Sequence, residues 1–459
     1  MTFPKHVFRS YDIRGLVEGE ITPEFGYRIG RAFVSFLEKK RIDVTSGAIV
    51  VGRDMRPSGV AVEEELIRAI NDAGVDAASI GLVSTPLFGF AAAHFPEHIA
   101  GIMVTASHNP AEYNGFKLCL GDGAPIGGSS GLMEIRDLAE GADWADTASS
   151  RGEIRTLDPK PAYFEKIWSR VNPEDIRPMH LVIDAGNGMA DVTYPALLEQ
   201  LPQVKVEFLY LEPDGTFPNH EANPLKTETL QDLRTRVKEV GADLGFALDG
   251  DADRIGVVDE RGEVVEPSLV GALIGLAVLE RHPGAHMLYD LRSSDVVREA
   301  WEAHGATTGQ SMVGHANIKQ QMREEDAVFA SELSLHLYYR DVYFLESGEL
   351  SLMYLLELMS SEGKTLSALC APLRRFAHSG ERNFEVADKA AAIARVREKY
   401  EHLAVEKTDI DGLWLRFDWG WFSVRASNTE NVLRLNLETR DQPLTEAKVA
   451  ELTEVIMSS

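Results

Sequence analysis

The chain has 459 residues, 44% hydrophobic and 26% charged, an ordinary globular composition too long for one core; at about 150 residues per domain, three domains are expected, or four if some are small. The net charge is −26, which argues against nucleic acid and anionic membrane surfaces as partners, since both are bound through gathered Lys and Arg. Two cysteines, Cys119 and Cys370, show neither metal nor disulfide spacing and fit a reduced, cytoplasmic setting.

In chain order, "MTFPKHVFRSYDIRG" has no apolar core of signal-peptide type. A recurring unit then begins: an apolar β-branched run, a polar turn, and a helical stretch. "GAIVVGRDMRPSG" (47–59) leads into a helix with Val62, Leu66, Ala69 and Ile70 at helical spacing. "HLVIDAGNGMA" (180–190) and "HMLYDLRSSD" (286–295) open two more such units. Their wide spacing predicts three similar α/β domains with mostly parallel, mixed sheets. "LVGALIGLAVL" (269–279) is too short to span a bilayer and reads as a buried helix. The tail differs: a helix pattern at 386–402, three closely spaced strand-like runs, and a final helix near 444–456 predict a smaller α+β domain. Boundaries fall near 150, 257 and 370, giving domains 1–150, 151–257, 258–370 and 371–459.

Ligands of α/β sheets gather at loops beyond the carboxyl ends of strands, and four loops carry candidate chemistry. "VTASHNP" (104–110) ends an apolar run in a turn holding Ser107 and His108. It lacks the small neighbours of a nucleophile elbow, and an ST-turn is a fair alternative. "LDGDADR" (248–254) places Asp249, Asp251 and Asp253 at alternate positions, where mutual repulsion calls for a divalent cation, magnesium or calcium, the bland alternative being a solvated acidic turn. The spacing matches half an EF-hand, but Arg254 stands where that loop needs Gly, and the flanks are strand-like. "FASELSLH" (329–336) puts Glu332, Ser334 and His336 on one side if extended, suited to sugar hydroxyls or to a polar edge strand. "VRASNTENVLR" (424–434) offers Arg425, Ser427, Asn428 and Thr429 as an anion site, or as simple turn chemistry. "GKT" at 363–365 lacks the upstream Gly of a P-loop, and "GNGMA" falls short of a dinucleotide fingerprint.

Together with "FRSYDIRG" (8–15), the loops "TASHNPAEYNGFK" (105–117), "DGDADR" (249–254), "ELSLH" (332–336) and "RASNTENVLR" (425–434) resemble, in order, the signatures of the α-D-phosphohexomutase family. The resemblance is strongest to its bacterial phosphomannomutase/phosphoglucomutase branch. It implies four domains around a central cleft and a reversible interconversion of hexose 1- and 6-phosphates through a phosphoserine and a 1,6-bisphosphosugar, which also serves as activator. It implies that Ser107 carries the phosphoryl group and that Mg2+ is held by Asp249, Asp251, Asp253 and a phosphoserine oxygen. It further implies that the substrate's phosphate docks on Arg425, Ser427, Asn428 and Thr429. Lys117 is the candidate base, if desolvation and cationic neighbours depress its pKa. Arg14 and Arg254 are electrostatic partners, and His108 and His315 are candidate proton or phosphate contacts. Arg292 stands where relatives often have Lys. The sugar loop departs from G-E-x-S-G-H, with Ser331 and Leu335 in place of the two glycines. Rival readings are a phosphoglucosamine mutase, a metal-dependent sugar phosphatase and a non-catalytic sugar-phosphate binder. The expected partner is a phosphosugar, and the chain a monomer or homodimer.

Overall fold

The computed structural model describes residues 3–141, 144, 147–427 and 432–458. Its contacts divide the chain into two compact units, Met1–Glu266 with Ser334–Ser367, and Pro267–Leu333 with Ala368–Ser459. Among the described residues, no helix is long and apolar enough to cross a membrane.

The first unit opens with β1 (Ile13–Leu16), α1 (Pro23–Lys39), β2 (Ala48–Arg53), α2 (Gly59–Asp72), β3 (Asp76–Leu82), α3 (Thr85–His94), β4 (His98–Val104), β5 (Tyr113–Leu120), α4 (Leu132–Gly141) and β6 (Ile154–Thr156). The sheet order is β1-β5-β4-β2-β3-β6. The strands from β4 through β6 run parallel, whereas β5 is antiparallel to both β4 and β1. Two of its helices start where the sequence allows: Thr22 caps α1 before Pro23, and Ser84 caps α3. Val62, Leu66 and Ile70 of α2 bury against Ile29, Phe33, Ile49 and Ile102. Each such side chain contributes roughly 1.5–3 kcal/mol by leaving water. The order of these strands places the ends of β1, β4 and β5 side by side.

Next come α5 (Lys160–Trp168), β7 (Met179–Asp184), α6 (Tyr194–Leu198), β8 (Val204–Leu209), α7 (Gln231–Val240), β9 (Leu244–Leu248) and β10 (Ile255–Asp259). They form a second sheet in the order β10-β9-β7-β8, parallel except for the β9–β10 hairpin.

In the second unit, α8 (Pro267–Arg281) is the apolar helix expected from "LVGALIGLAVL", buried along most of its length. It precedes β11 (His286–Asp290), α9 (Asp295–Ala303), β12 (Thr307–Ser311), α10 (His315–Glu325) and β13 (Phe329–Ser331). The strand β11 lies between β12 and β13, parallel to both. After α11 (Gly348–Ser361), which returns to the first unit, the tail supplies β14 (Arg382–Phe384), α12 (Lys389–Tyr400), β15 (Leu413–Phe417), β16 (Gly420–Ala426), β17 (Leu433–Thr439) and α13 (Gln442–Met457). These strands pair antiparallel, and both helices pack on them through Val396, Leu415, Phe422, Leu435, Leu452 and Ile456. The architecture is therefore three mixed-sheet α/β layers followed by an α+β domain.

Candidate active site

Ser107 sits in the turn after β4, is 1% exposed, and has a left-handed backbone with φ 51°. A non-glycine residue there costs on the order of 1 kcal/mol and needs surrounding structure to hold it. Arg56 supplies that hold. Its fully buried guanidinium donates to the carbonyls of Ser107 (2.9 Å), Asn109 (2.5 Å), Pro110 (2.7 Å) and Tyr113 (2.8 Å), while Asp54 anchors its Nε at 3.1 Å. Thr105 links the same parts: its hydroxyl donates to Asp54 at 2.7 Å and accepts the Ser107 N–H at 2.9 Å. Arg14, on β1, is salt-bridged to Asp12 and donates to Asn109 Oδ1 at 2.8 Å and to Ala106 O at 3.3 Å. Five backbone carbonyls and one side-chain amide around this loop are thus held by two arginines.

The three aspartates lie in the turn of the β9–β10 hairpin, not on one continuous strand, and Ala252 turns the chain with φ 60°. Each aspartate offers an oxygen within 4.8 Å of the others, and all three are buried. Gly250 matters here: a Cβ at that position would stand 2.6 Å from Ser107 O, so the two loops approach as closely as they do only with glycine. The Ser107 hydroxyl donates to Asp249 Oδ2 at 3.0 Å and lies 3.2 Å from His108 Nδ1. Burial first, then Asp253 and Asp251, push Asp249 up to about 8. Burial acts the same way on Asp253, but Lys117 and His336 outweigh it and hold that carboxyl well below its usual range. Asp251 Oδ1 is buried and finds no hydrogen-bond partner among the described residues. Clustered buried carboxylates with an orphaned oxygen are a hard-cation donor set, and the residues present fit a divalent metal.

Lys117, on β5, donates to Asp251 Oδ2 and Asp253 Oδ2, both at 2.6 Å, and to Thr85 at 3.2 Å. The depressed pKa expected for it is not found. Burial does act downward, but the two carboxylates outweigh it and hold the ammonium well above its ordinary value. His108 shifts the other way: burial, then Arg254 and Arg14, keep the imidazole neutral. His336 Nε2 lies 3.3 Å from both Arg254 Nε and Asp253 Oδ1, and its Nδ1 lies 3.1 Å from Ser334 Oγ. The first unit therefore brings together Arg14, Ser107, His108, Lys117, the three aspartates, Arg254, Ser334 and His336.

The second unit gathers another set. Arg292, just after β11, pairs with Asp290 at 2.6 Å and Glu332 at 3.4 Å. Glu332 also accepts the N–H of Gly314 at 3.0 Å, which draws the start of α10, and with it His315, to the same loop. Arg425 and Ser427 are both buried at the end of β16. Asn428 and Thr429 lie outside the described residues.

Four family models match consecutive parts of the chain: phosphoglucomutase/phosphomannomutase alpha/beta/alpha domain I over residues 5–145, domain II over 161–262, domain III over 266–376, and the C-terminal domain over 381–455. A phosphomannomutase of Salmonella montevideo is 39% identical, with 98% of this chain and 99% of the relative covered. A protein of Xanthomonas campestris named "phosphohexose mutases" is 37% identical over 99% and 100%. The chain belongs to the phosphoglucomutase/phosphomannomutase family. A solved structure of a family protein from Burkholderia thailandensis superposes with TM-score 0.89 at 30% identity, covering 99% of this chain and 98% of that one. Parafusin, a phosphoglucomutase from Paramecium, shares the fold, with TM-score 0.83 at 16% identity over 99% and 95% of the two chains. As a member of the phosphoglucomutase/phosphomannomutase family the chain is an intramolecular phosphotransferase of carbohydrate metabolism.

For this family member the sugar loop is a turn, not the extended run that would align Glu332, Ser334 and His336 on one face. Leu335 stands in that turn with φ 73°. That conformation is easy for the glycine usual in the family motif and strained for leucine. The bulk of Leu335 is packed away, since the residue is only 5% exposed. Ser331, the other substituted glycine, is accommodated by Gly271 of α8, where a Cβ would come within 2.1 Å of the Ser331 hydroxyl. Arg56, Thr105 and Thr85 were not singled out by sequence reasoning. Arg56 appears there only as one charge in "GRDMRPSG", and nothing in its spacing announces that it holds carbonyls some fifty residues on.

Proposed function

We propose that this chain interconverts hexose 1-phosphates and hexose 6-phosphates, with mannose and glucose as the sugars, and that Ser107 carries the phosphoryl group. The observation that carries the reading is the 3.0 Å contact between the buried Ser107 hydroxyl and Asp249 of the three-carboxylate cluster. A simple turn serine has no reason to be buried against a cluster of acids. The hydrolase reading also lacks support, because His108 lies beside Ser107 in a turn with no elbow sequence.

Asp249, Asp251 and Asp253, with an oxygen of phosphorylated Ser107, would hold Mg2+, which when bound supplies neutralising charge at the phosphoryl oxygens. The chain's own residues do the rest. Arg56 and Arg14 fix the Ser107 loop, so Oγ keeps its place through the cycle. A sugar hydroxyl attacks the phosphorus of phospho-Ser107; the sugar O–P bond forms, the P–Oγ bond breaks, and the hydroxyl proton is returned in net terms to Oγ. Lys117, held as an ammonium, stabilises negative charge where transfer occurs. Neutral His108, 3.2 Å from Oγ, is placed to exchange a proton with it. Arg425, Ser427, Asn428 and Thr429 dock the other phosphate, and Arg292, His315, Glu332, Ser334, His336 and Arg254 meet the sugar and its charge. The bisphosphosugar then turns end for end, and its second phosphate returns to Ser107. A trace of hexose 1,6-bisphosphate would reload any enzyme that loses its phosphate. Relatives named as phosphomannomutases favour mannose over an amino sugar.

The test is phosphorus NMR with glucose 1-phosphate, mannose 1-phosphate and glucosamine 1-phosphate, each with Mg2+ and catalytic glucose 1,6-bisphosphate. Conversion of the first two to 6-phosphates is expected. Release of inorganic phosphate alone would make the chain a phosphatase, no turnover would make it a binder, and fastest conversion of the amino sugar would overturn the sugar assignment.

A further inference from the structure

We infer that Glu381 is an internal counter-anion, holding the phosphate-docking arginines of the second unit together and giving way when a sugar phosphate arrives. The inference rests on Arg425 being that dock.

Three arginines from three elements meet at one carboxylate. Glu381, just before β14, places Oε1 3.2 Å from Arg434 NH1, and Oε2 3.4 Å from Arg425 NH2 and 3.7 Å from Arg292 NH1. Arg425 and Arg434 face each other directly across the β16–β17 pair. Like charges at that spacing destabilise a sheet unless an anion lies between them. The pairing is also loose. Arg292 approaches Asp290 at 2.6 Å, whereas none of the three arginines comes within 3.2 Å of Glu381.

The donors are not used up. Arg425 is 3% exposed, and its Nε has no partner among the described residues; nor has Nε of Arg292. Glu381 has two oxygens to share among three guanidinium groups. A phosphate monoester offers three terminal oxygens and close to twice the charge, and guanidinium forks match that geometry well. Glu381 is 26% exposed, so it has a route out toward solvent.

The consequence is competition. A phosphate entering the cluster must overcome repulsion from Glu381 or displace it. Either way the dock binds more weakly than three arginines alone would, and this suits a site that must release one end of a bisphosphate to accept the other.

The experiment uses the full chain and glucose 1-phosphate as the probe, with affinity measured by calorimetry and turnover measured in parallel. Glu381→Gln and Glu381→Ala, checked for fold by circular dichroism, should each bind about tenfold tighter, the scale of one partly screened charge at this distance. KM should fall, and kcat should fall with it as the intermediate is held too long. Unchanged or weaker binding in both variants would overturn the inference and leave Glu381 a structural brace. Arg425→Ala separates the two readings: if that variant binds glucose 1-phosphate like the wild type, the dock itself is misassigned. If it loses binding while the Glu381 variants fail to tighten, only the counter-anion idea falls.

Discussion

The two units treat charge in opposite ways. In the first, the groups around Ser107 are paired, with Asp251 Oδ1 an exception: Lys117 has two carboxylates and a hydroxyl, Arg56 has four carbonyls and an aspartate, and Ser107 has an acid and an imidazole. In the second, Arg425 and Arg292 meet at Glu381, Arg292 also pairing with Asp290, and the Nε of each has no partner among the described residues. A closed network holds atoms still, which phosphoryl transfer needs, because its barrier is lowered mainly by positioning and electrostatics. An open network has free energy left for an incoming anion. On the proposed function the first unit holds the transfer chemistry and the second the phosphate dock, a division that substitution can break.

The largest effect is expected from Ser107→Ala, which should reduce mutase turnover by about 10⁴-fold, the scale of removing a nucleophile. Wild-type rates in a coupled assay would rule out the phosphoserine route. Arg56→Lys comes next. A lysine cannot reach four carbonyls in a plane, so the Ser107 loop should relax and kcat fall by about 100-fold, as a displacement near 1 Å does. KM should stay within about twofold, since Arg56 holds the Ser107 loop of the first unit whereas the proposed dock belongs to the second, and ³²P loading of Ser107 from the bisphosphate should slow in proportion. A KM effect as large as the kcat effect would blur the division between units. In the second unit the split should reverse. Arg425→Lys should raise KM by about tenfold for either hexose 1-phosphate, with kcat changed less, through loss of forked contacts to phosphate.

That division was only partly legible in the sequence. The fold class followed from periodicity, because apolar runs, helical spacing and turn residues agree locally in all three α/β layers and in the tail. The Ser107 loop, the aspartates and the arginine loop were found because their residue types are unusual together. Arg56 was missed because its role depends on which carbonyls the fold brings to it, and backbone carbonyls carry no sequence signal. Glu381 was missed for the same reason: Glu381 and Arg292 lie far in sequence from Arg425 and Arg434 and meet them only where β11, β14, β16 and β17 assemble. Leu335 stands out in the sequence as a departure from glycine, with added bulk and a restricted backbone; the structure keeps the backbone strain, and the burial of the bulk carries no sequence signal.

The smallest effect is a pH dependence confined to the second unit, where two buried groups oppose each other. Burial pushes Glu438 up to about 7 from an ordinary 4.5, although Asp295 N–H and Trp421 Nε1–H donate to it at 2.9 and 3.2 Å. A carboxyl raised in the fold contributes stability that is present below 4.5 and lost as pH rises through about 7. Burial pushes His378 down to about 4 from 6.5. Its Nδ1 accepts the Gly380 N–H at 3.0 Å and its Nε2 lies 3.0 Å from Arg292 O, so the neutral ring is the one that fits. An imidazole depressed in the fold contributes stability that is present above 6.5 and lost as pH falls through about 4. Each is worth roughly 3 kcal/mol at its limit, and between pH 4.5 and 6.5 the two slopes have opposite signs and largely cancel. Urea midpoints across pH 4.5–7 should therefore vary little from these groups in the wild type. Glu438→Gln should unmask the histidine, its stability rising relative to the wild type across that window, while His378→Asn should unmask the carboxyl and tilt the other way. Parallel curves for Glu438→Gln and the wild type would mean that Glu438 is not held protonated, and that the second unit pairs its buried charges as completely as the first.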